Sequence, residues 1–195
     1  MKKISLLLGI ALISLVVVSC GSSKEATQQK PVPQNQPKST PCPDCVATST
    51  QFKYLAQGVA ESEYDIQATR TFVEENARAG LQAMIETAVK RSVDQFTQQH
   101  RDGSNVKNIA KNTIQSLNIL NAKIKNTPVT CWDAAPSTLT PGKISVYACV
   151  EYNAEDVYNT VVETMSADTE LKIDFKQHQY KDDFYKALEE YGSTN

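Results

Sequence analysis

Ile144-Ser145-Val146-Tyr147-Ala148-Cys149-Val150-Glu151-Tyr152 alternates along its length. Ile144, Val146, Ala148, Val150 and Tyr152 fall on one side; Ser145, Tyr147, Cys149 and Glu151 fall on the other. A period of two marks a half-buried strand, so Lys143–Tyr152 is read as a strand with one face in a core. Pro136, Pro141 and Gly142 lie just upstream and supply the chemistry of a chain reversal. The segment Asn121–Asp133 before them reads as the antiparallel partner, in a hairpin centred near residue 140. That centre sets Cys131 opposite Cys149, each nine positions away. Trp132 then joins the Ala148/Val150 face and enters the core, while the two cysteines share the other face with Tyr147 and Glu151. Opposed residues of a non-hydrogen-bonded pair have Cα atoms about 4.5 Å apart, within disulfide reach. A Cys131–Cys149 bond is therefore expected, contributing about 3 kcal/mol by loop closure.

Outward from this hairpin, the chain supplies the layers that cover it. Phe52-Lys53-Tyr54-Leu55-Ala56-Gln57-Gly58-Val59-Ala60 reads as a further strand, with a bulge or a close backbone approach at Gly58. A long helix follows from Tyr64 to Gln99, with Ser62 as N-cap and Glu63 and Asp65 at its positive end. Val73, Ala77, Leu81, Met84, Ile85 and Ala88 recur at three- and four-residue spacing and form its core stripe. Gly80 costs about 1 kcal/mol against Ala in mid-helix, so a packing reason is expected for it. Arg101–Asn105 is a turn, after which Val106, Ile109, Ala110, Thr113, Ile114 and Leu117 form the stripe of a second, shorter helix, with Lys107 and Lys111 outside. Beyond the hairpin, Asn153 is the N-cap of a helix carrying Val157, Val161, Val162 and Met165, which Ala167-Asp168-Thr169 breaks. Leu171–Phe175 leads to an amphipathic helix, Gln177–Tyr191, with Tyr180, Phe184, Ala187, Leu188 and Tyr191 at helical spacing and Gly192 as its stop. The expected fold is α+β: a small antiparallel or mixed sheet built from strand, long helix, short helix and β-hairpin, with C-terminal helices packed on it. It forms a single domain over residues 51–192, and residues 193–195 are a tail.

The first 50 residues follow another logic. Met1-Lys2-Lys3 precedes an apolar run, Ile4–Val18, that is too short for a comfortable membrane span and has the flanks of a signal peptide. Val17-Val18-Ser19-Cys20 resembles the lipobox of bacterial lipoproteins: apolar, small, small, cysteine. That resemblance implies removal of residues 1–19, a diacylglyceryl thioether on Cys20 and acylation of the new amino terminus. Two or three acyl chains anchor a protein stably where one binds only marginally. Gly21 in place of aspartate implies, by analogy with enteric bacterial sorting, the outer membrane, with the periplasmic or surface face left open. Residues 20–50 are rich in Pro, Ser and Gln and read as a tether lacking the apolar content to fold. A flexible coil of that length spans about 30 Å.

Pro41-Cys42-Pro43-Asp44-Cys45 closes the tether. As a CxxC it can be a structural disulfide or a pair of surface thiols, half a zinc site, or a redox pair. With Cys20 lipidated, Cys42, Cys45, Cys131 and Cys149 form an even set, which in an exported chain suits disulfides, and four cysteines allow three pairings.

Composition narrows the function. With 20 basic and 22 acidic residues the net charge is −2, so no basic field gathers nucleic acid. Two histidines, His100 and His178, stand apart from any thiol or hydroxyl motif. The acid pairs Glu74-Glu75, Asp182-Asp183 and Glu189-Glu190 lie on helices as solvated faces, and Ser104 has no G-x-S-x-G frame. No catalytic residue, cofactor or metal is expected, and the protein is read as a non-enzyme.

Tyr54-Leu55-Ala56-Gln57-Gly58, Asn76-Ala77-Arg78-Ala79-Gly80-Leu81, Trp132 with Val146-Tyr147-Ala148-Cys149-Val150, and Ile173-Asp174-Phe175…Tyr180…Phe184-Tyr185 together resemble the small membrane-associated bacterial lipoproteins typified by a twenty-kilodalton lipoprotein (the "Lpp-twenty" type). The element order is also similar to the first domain of a flagellar assembly protein and, loosely, to lipoproteins that activate cell-wall synthases. The resemblance implies envelope-associated binding or assembly, with no catalytic residues carried over. The CPDC motif and the Cys131/Cys149 pair depart from the family pattern. Three functions follow as expectations: a lipid-anchored envelope protein that binds or scaffolds an envelope partner, a periplasm-spanning regulator of a cell-wall synthase, or a thiol-redox or metal-carrying protein using Cys42 and Cys45.

Overall fold

Ile144–Asn153 (β3) is the middle strand of a three-stranded sheet, flanked by Gln51–Ala60 (β1) and Val129–Pro136 (β2), with both pairings antiparallel. The computed structural model describes residues 40–99, 106–168 and 181–187. They lie within a compact unit that starts at Lys38. A 3₁₀ turn, Glu63–Asp65, leads into the helix Ile66–Gln99 (α1); Val106–Ile124 (α2) precedes β2, and Ala154–Ser166 (α3) follows β3 directly. The fold is α+β, with helices packed on a small antiparallel sheet.

Alternation along β3 does what its pattern requires. Val146, Ala148 and Val150 are fully buried against the helical layer. Phe52, Ala56 and Ala60 of β1 are buried on the same face, and Val73, Ala77, Leu81, Ile85 and Ala88 of α1 meet them, as the three- and four-residue spacing demands. Each fully buried Val, Leu or Phe side chain is worth about 1.5–3 kcal/mol, so this layer supplies the main driving force. Two glycines set how closely α1 lies on the sheet. A Cβ at Gly58 would stand 2.5 Å from Val73 Cγ2, and one at Gly80 would stand 2.2 Å from the Tyr54 ring. Gly58 is thus a close approach and not a bulge, since the β1–β3 register runs unbroken from Gln51↔Asn153 to Ala60↔Ile144. Ser62 occupies the capping position, but its hydroxyl donates to Asp65 Oδ2 at 2.7 Å instead of accepting a backbone N–H. Asn153 caps α3, accepting from the backbone N–H of Glu155 at 2.7 Å and of Asp156 at 3.4 Å.

Two expectations are corrected here. Asn121–Ile124 is the last turn of α2 and not the start of a strand. Leu117, Leu120 and Ile124 continue the helical spacing into the core, and the chain turns over Lys125–Pro128 before β2 begins. The stripe of α2 is also rotated. Ile109, Asn112, Thr113, Ser116, Leu117, Leu120 and Ile124 are buried, while Val106 and Ile114 are 41% and 62% exposed. Small hydroxyl residues can take the inward positions because Thr113 and Ser116 bond back to the carbonyls of Ile109 and Asn112, each at 2.8 Å.

At the C-terminal end, residues 181–187 are helical. Phe184 and Ala187 are fully buried, and the Phe184 ring lies 6.4 Å from Phe52 and 6.1 Å from Tyr158. The segment docks on the domain, as its amphipathic spacing predicts. Cys20, His100, Arg101–Asn105, Leu171–Phe175, His178, Tyr180, Leu188 and Tyr191 lie outside the described residues.

Candidate functional site

The face of the sheet turned away from the helices carries Lys53, Leu55, Gln57 and Val59 from β1, Ser145, Tyr147, Cys149 and Glu151 from β3, and Cys131 and Asp133 from β2. Gln57 Nε2 donates to Ser145 Oγ at 3.1 Å, and Lys53 Nζ lies 3.2 Å from the Glu151 carboxylate across the β1–β3 pair. Thr130 is the extra residue of a bulge between Val129 and Cys131, and its hydroxyl donates to the Cys149 carbonyl at 3.3 Å. Beyond the bulge Cys131 stands opposite Cys149 and Trp132 opposite Ala148, the register expected from a centre near residue 140. Trp132 is half-buried against the core, with the Arg70 guanidinium carbon 5.4 Å from its ring centroid. Arg70 Nε is buried without a hydrogen-bond partner, and the ring face lies against the guanidinium on that side.

Cys131 and Cys149 are not bonded to each other. Cys42 is bonded to Cys131 and Cys45 to Cys149, each across 5.9 Å between Cα atoms. The expected Cys131–Cys149 bridge is therefore replaced by two bridges that strap the CPDC turn onto the sheet. Geometry explains why this can happen. Cys42-Pro43-Asp44-Cys45 forms a β-turn in which the Cys45 N–H donates to the Cys42 carbonyl at 2.9 Å. Proline at the second turn position presets the backbone for it. The first and fourth residues of such a turn lie less than about 7 Å apart, and neighbouring strands about 4.8 Å. A turn laid over two adjacent strands thus offers its sulfurs at the spacing at which opposed cysteines present theirs. Lys53 Nζ also donates to the Asp44 carbonyl at 3.0 Å, holding the turn from the β1 side.

The chain reaches this position by folding back on itself. Thr48 and Gln51 exchange backbone hydrogen bonds at 2.9 and 3.3 Å, and the Thr48 hydroxyl accepts from the N–H groups of Thr50 and Gln51. Residues 42–45, read from sequence as the end of the tether, are in this way covalently part of the folded body. Cys42 has φ +46°, the one non-glycine residue at positive φ among those described. The left-handed region costs an L-residue about 1–2 kcal/mol, which the bridge and the Cys45 N–H hold in place.

Beside the bridges is a cavity of about 120 Å³ lined by Lys53, Thr130 and Glu151 together with the cysteines. Burial is unequal within each bridge: Cys42 and Cys149 are 3% and 2% exposed, whereas Cys45 and Cys131 are half-buried. No group of three or more His, Cys, Asp or Glu arranged for a metal occurs among the described residues.

Two further features stand outside this face. A groove of about 310 Å³ between α1 and α2 is lined by Val93, Val106, Ile109 and Ile114, with Lys90 and Asp94 beside them. Around α3, burial raises the phenol pKa of Tyr152, Tyr158 and Tyr185, reinforced by Asp156, by Tyr185 and by Glu155 respectively. Lys181 Nζ lies 5.8 and 6.0 Å from the Tyr158 and Tyr185 rings, so these phenols serve as packing and cation–π surface. Compared with family models, curated proteins and solved structures, the chain finds no match.

The sequence picked out all four cysteines of the site and set Glu151 on the face of Cys131 and Cys149, but it did not give the pairing and missed the part played by Lys53 and Asp44. The Pro-Asp pair inside the CxxC is a turn signal that could have placed the two sulfurs on one side of a reversal.

Proposed function

We propose that the protein is a lipid-anchored bacterial envelope protein, held to the outer membrane through Cys20, whose domain binds or scaffolds an envelope partner without catalysing a reaction. The observation that carries this reading is the pair of long-range disulfides, Cys42–Cys131 and Cys45–Cys149, downstream of a lipobox-like cysteine. Stable structural disulfides belong to oxidising compartments outside the cytosol, where a lipid-modified cysteine also delivers its protein. Two independent chemical features therefore agree on export. The strap gives the anchor a mechanical role as well. A pull from Cys20 passes at Cys42 and Cys45 straight into β2 and β3, leaving β1 and its neighbouring turn unloaded.

Pinning Cys42 also limits reach. The 22 residues from Cys20 to Cys42 extend at most about 75 Å. Counted to Gln51, the 31 residues would extend about 105 Å. The shorter leash favours a partner near the anchoring membrane over a synthase regulator working across the periplasm. Using Cys42 and Cys45 as metal thiolates or a redox pair would first require breaking both bridges.

Cys20→Ala with membrane fractionation tests the anchor. The expected result is an unprocessed chain with a folded, disulfide-bonded domain that no longer sediments with outer membranes. Unchanged outer-membrane attachment would remove the anchor reading. Crosslinking of the native protein in its own envelope tests the binding role, and a partner list containing no envelope component would sink it.

A further inference from the structure

We propose that the four cysteines form a thiol-triggered latch, able to exchange the strap pairing, Cys42–Cys131 with Cys45–Cys149, for a local pairing, Cys42–Cys45 with Cys131–Cys149. The exchange frees the CPDC segment from the sheet. All four pairings lie within disulfide reach. The two present bridges span 5.9 Å between Cα atoms. Cys131 and Cys149 are register partners on adjacent strands, and Cys42 and Cys45 close a β-turn through the 2.9 Å N–H···O bond. The sulfurs therefore occupy the corners of a small quadrilateral, and either pair of opposite sides can be bonded.

The exposure pattern sets the order of events. In each bridge one cysteine is half-buried, Cys45 or Cys131, and its partner, Cys149 or Cys42, is almost fully buried. A small thiolate entering by the adjoining cavity, whose lining pairs Lys53 with Glu151, meets the half-buried sulfur first. Its attack on Cys45 Sγ forms a mixed disulfide and breaks the Cys45–Cys149 bond, whose electron pair leaves on Cys149. The Cys149 thiolate stands opposite Cys131 and attacks its Sγ, making Cys131–Cys149 and releasing Cys42 as thiolate. Cys42 then attacks Cys45 Sγ across the turn, makes Cys42–Cys45 and expels the entering thiolate unchanged. Two disulfides break and two form, the thiol is regenerated, and nothing is oxidised or reduced overall. Entry at Cys131 leads to the same product, because it frees Cys42 beside Cys45.

For a chain held at Cys20 the latch sets leash length. Opening it transfers the nine residues from Cys42 to Gln51 to the tether, adding about 30 Å of reach. It also uncovers the sheet face around Lys53 and Glu151. The leash consequence rests on the anchor reading; the exchange itself does not.

The test uses the oxidised full-length protein in detergent, incubated with substoichiometric glutathione at neutral pH, quenched in acid, alkylated and digested with trypsin without reduction. Cleavage after Lys38, Lys53, Lys125, Lys143 and Lys172 places Cys42 and Cys45 in one peptide and Cys131 and Cys149 in two others. The strap pairing then gives a three-peptide cluster. The latch predicts loss of that cluster in favour of an internally bridged 39–53 peptide and a 126–143/144–172 pair, both appearing together at constant total free thiol. Hydrogen exchange over 41–50 rises in step. A cluster that persists, or that is lost only as free thiol accumulates, overturns the proposal. Cys45→Ser isolates the central step, since Cys149 is then free beside Cys42–Cys131. The expected product is Cys131–Cys149 with Cys42 alkylated, and recovery of Cys42–Cys131 with Cys149 alkylated contradicts the mechanism. Should that variant not fold, the wild-type digest alone decides. These readouts are taken in detergent and follow only the 39–53, 126–143 and 144–172 peptides, so they do not depend on membrane attachment, and an unacylated Cys20 would show as an alkylated peptide of its own.

Discussion

Removing one bridge by Cys45→Ser with Cys149→Ser is the perturbation whose magnitude the structure specifies most closely. The Cys42–Cys131 bridge spans 89 residues, and on the chain-entropy relation such a loop restricts the unfolded chain by about 4.6 kcal/mol. Once it is closed, Cys45 and Cys149 are no longer 104 residues apart in the unfolded chain. They are joined through the first bridge by about 21 residues, three along the CPDC turn and 18 along the hairpin. Closing that shorter path adds about 3.3 kcal/mol, for about 8 kcal/mol in all. The local pairing, with loops of only 18 and three residues, would yield about 5 kcal/mol. Loss of the Cys45–Cys149 bridge alone is therefore expected to lower stability by about 3 kcal/mol, or the melting midpoint by about 10 °C for a domain of this size. Removing the second bridge should cost more than the first, about 4.6 kcal/mol, because the remaining loop is then long. Circular-dichroism melts without thiol, paired with urea titration, measure both steps. A midpoint within about 2 °C of wild type for the single-bridge variant, or two equal steps, would refute the nested-loop reasoning.

Gly58→Ala should destabilise the domain by about 1–2 kcal/mol in urea denaturation. Its new methyl meets the buried Val73 at 2.5 Å, and overpacking outweighs the strand's gain of about 0.5–1 kcal/mol. Adding Val73→Ala should recover at least about 0.5 kcal/mol as coupling; a more stable Gly58→Ala protein would show that the helix does not sit this close. Asn153→Ala removes both capping bonds at the start of α3 and is expected to cost about 1 kcal/mol, with Asn153→Asp near wild type; equal losses for the two would mean the cap is inactive. Tyr152, Tyr158 and Tyr185 have phenol pKa values raised above the ordinary 10.0, chiefly by burial. A raised folded value means their contribution to stability is complete below the unfolded pKa and is lost as pH climbs through the folded one. Ultraviolet phenolate titration should show these tyrosines ionising later in the folded protein than in urea, and coincident curves would contradict their burial.

Much of the fold was legible because its signals are local. Alternation in Ile144–Tyr152 identified the central strand, the Val73–Ala88 stripe identified the long helix and its buried face, and Asn153 marked a cap that the structure satisfies. The failures occurred where a local signal was ambiguous. Leu120 and Ile124 belong to a helix by spacing, yet Asn121–Asp133 is also compatible with a strand, and only the packing of α2 against α1 and α3 chose between them. Val106, Ala110 and Ile114 are as apolar as the true stripe, so the side of α2 that turns inward was decided by the partner surface.

The cysteine site divides along the same line. By itself the sequence determined that Cys131 and Cys149 stand opposite each other, because hairpin register follows from alternation and the position of the turn. It carries too, at Val17-Val18-Ser19-Cys20, a resemblance to a lipobox, on which the proposed anchor rests. Which sulfurs bond was decided only by tertiary structure. Cys42 and Cys45 lie 89 and 104 residues from their partners, and no periodicity reaches that far. Their meeting depends on Thr48–Gln51 reversing the chain and on the sheet leaving one face bare beneath the turn. A disulfide requires two sulfurs at one place in space, and for residues so distant along the chain that place exists only once the sheet has formed.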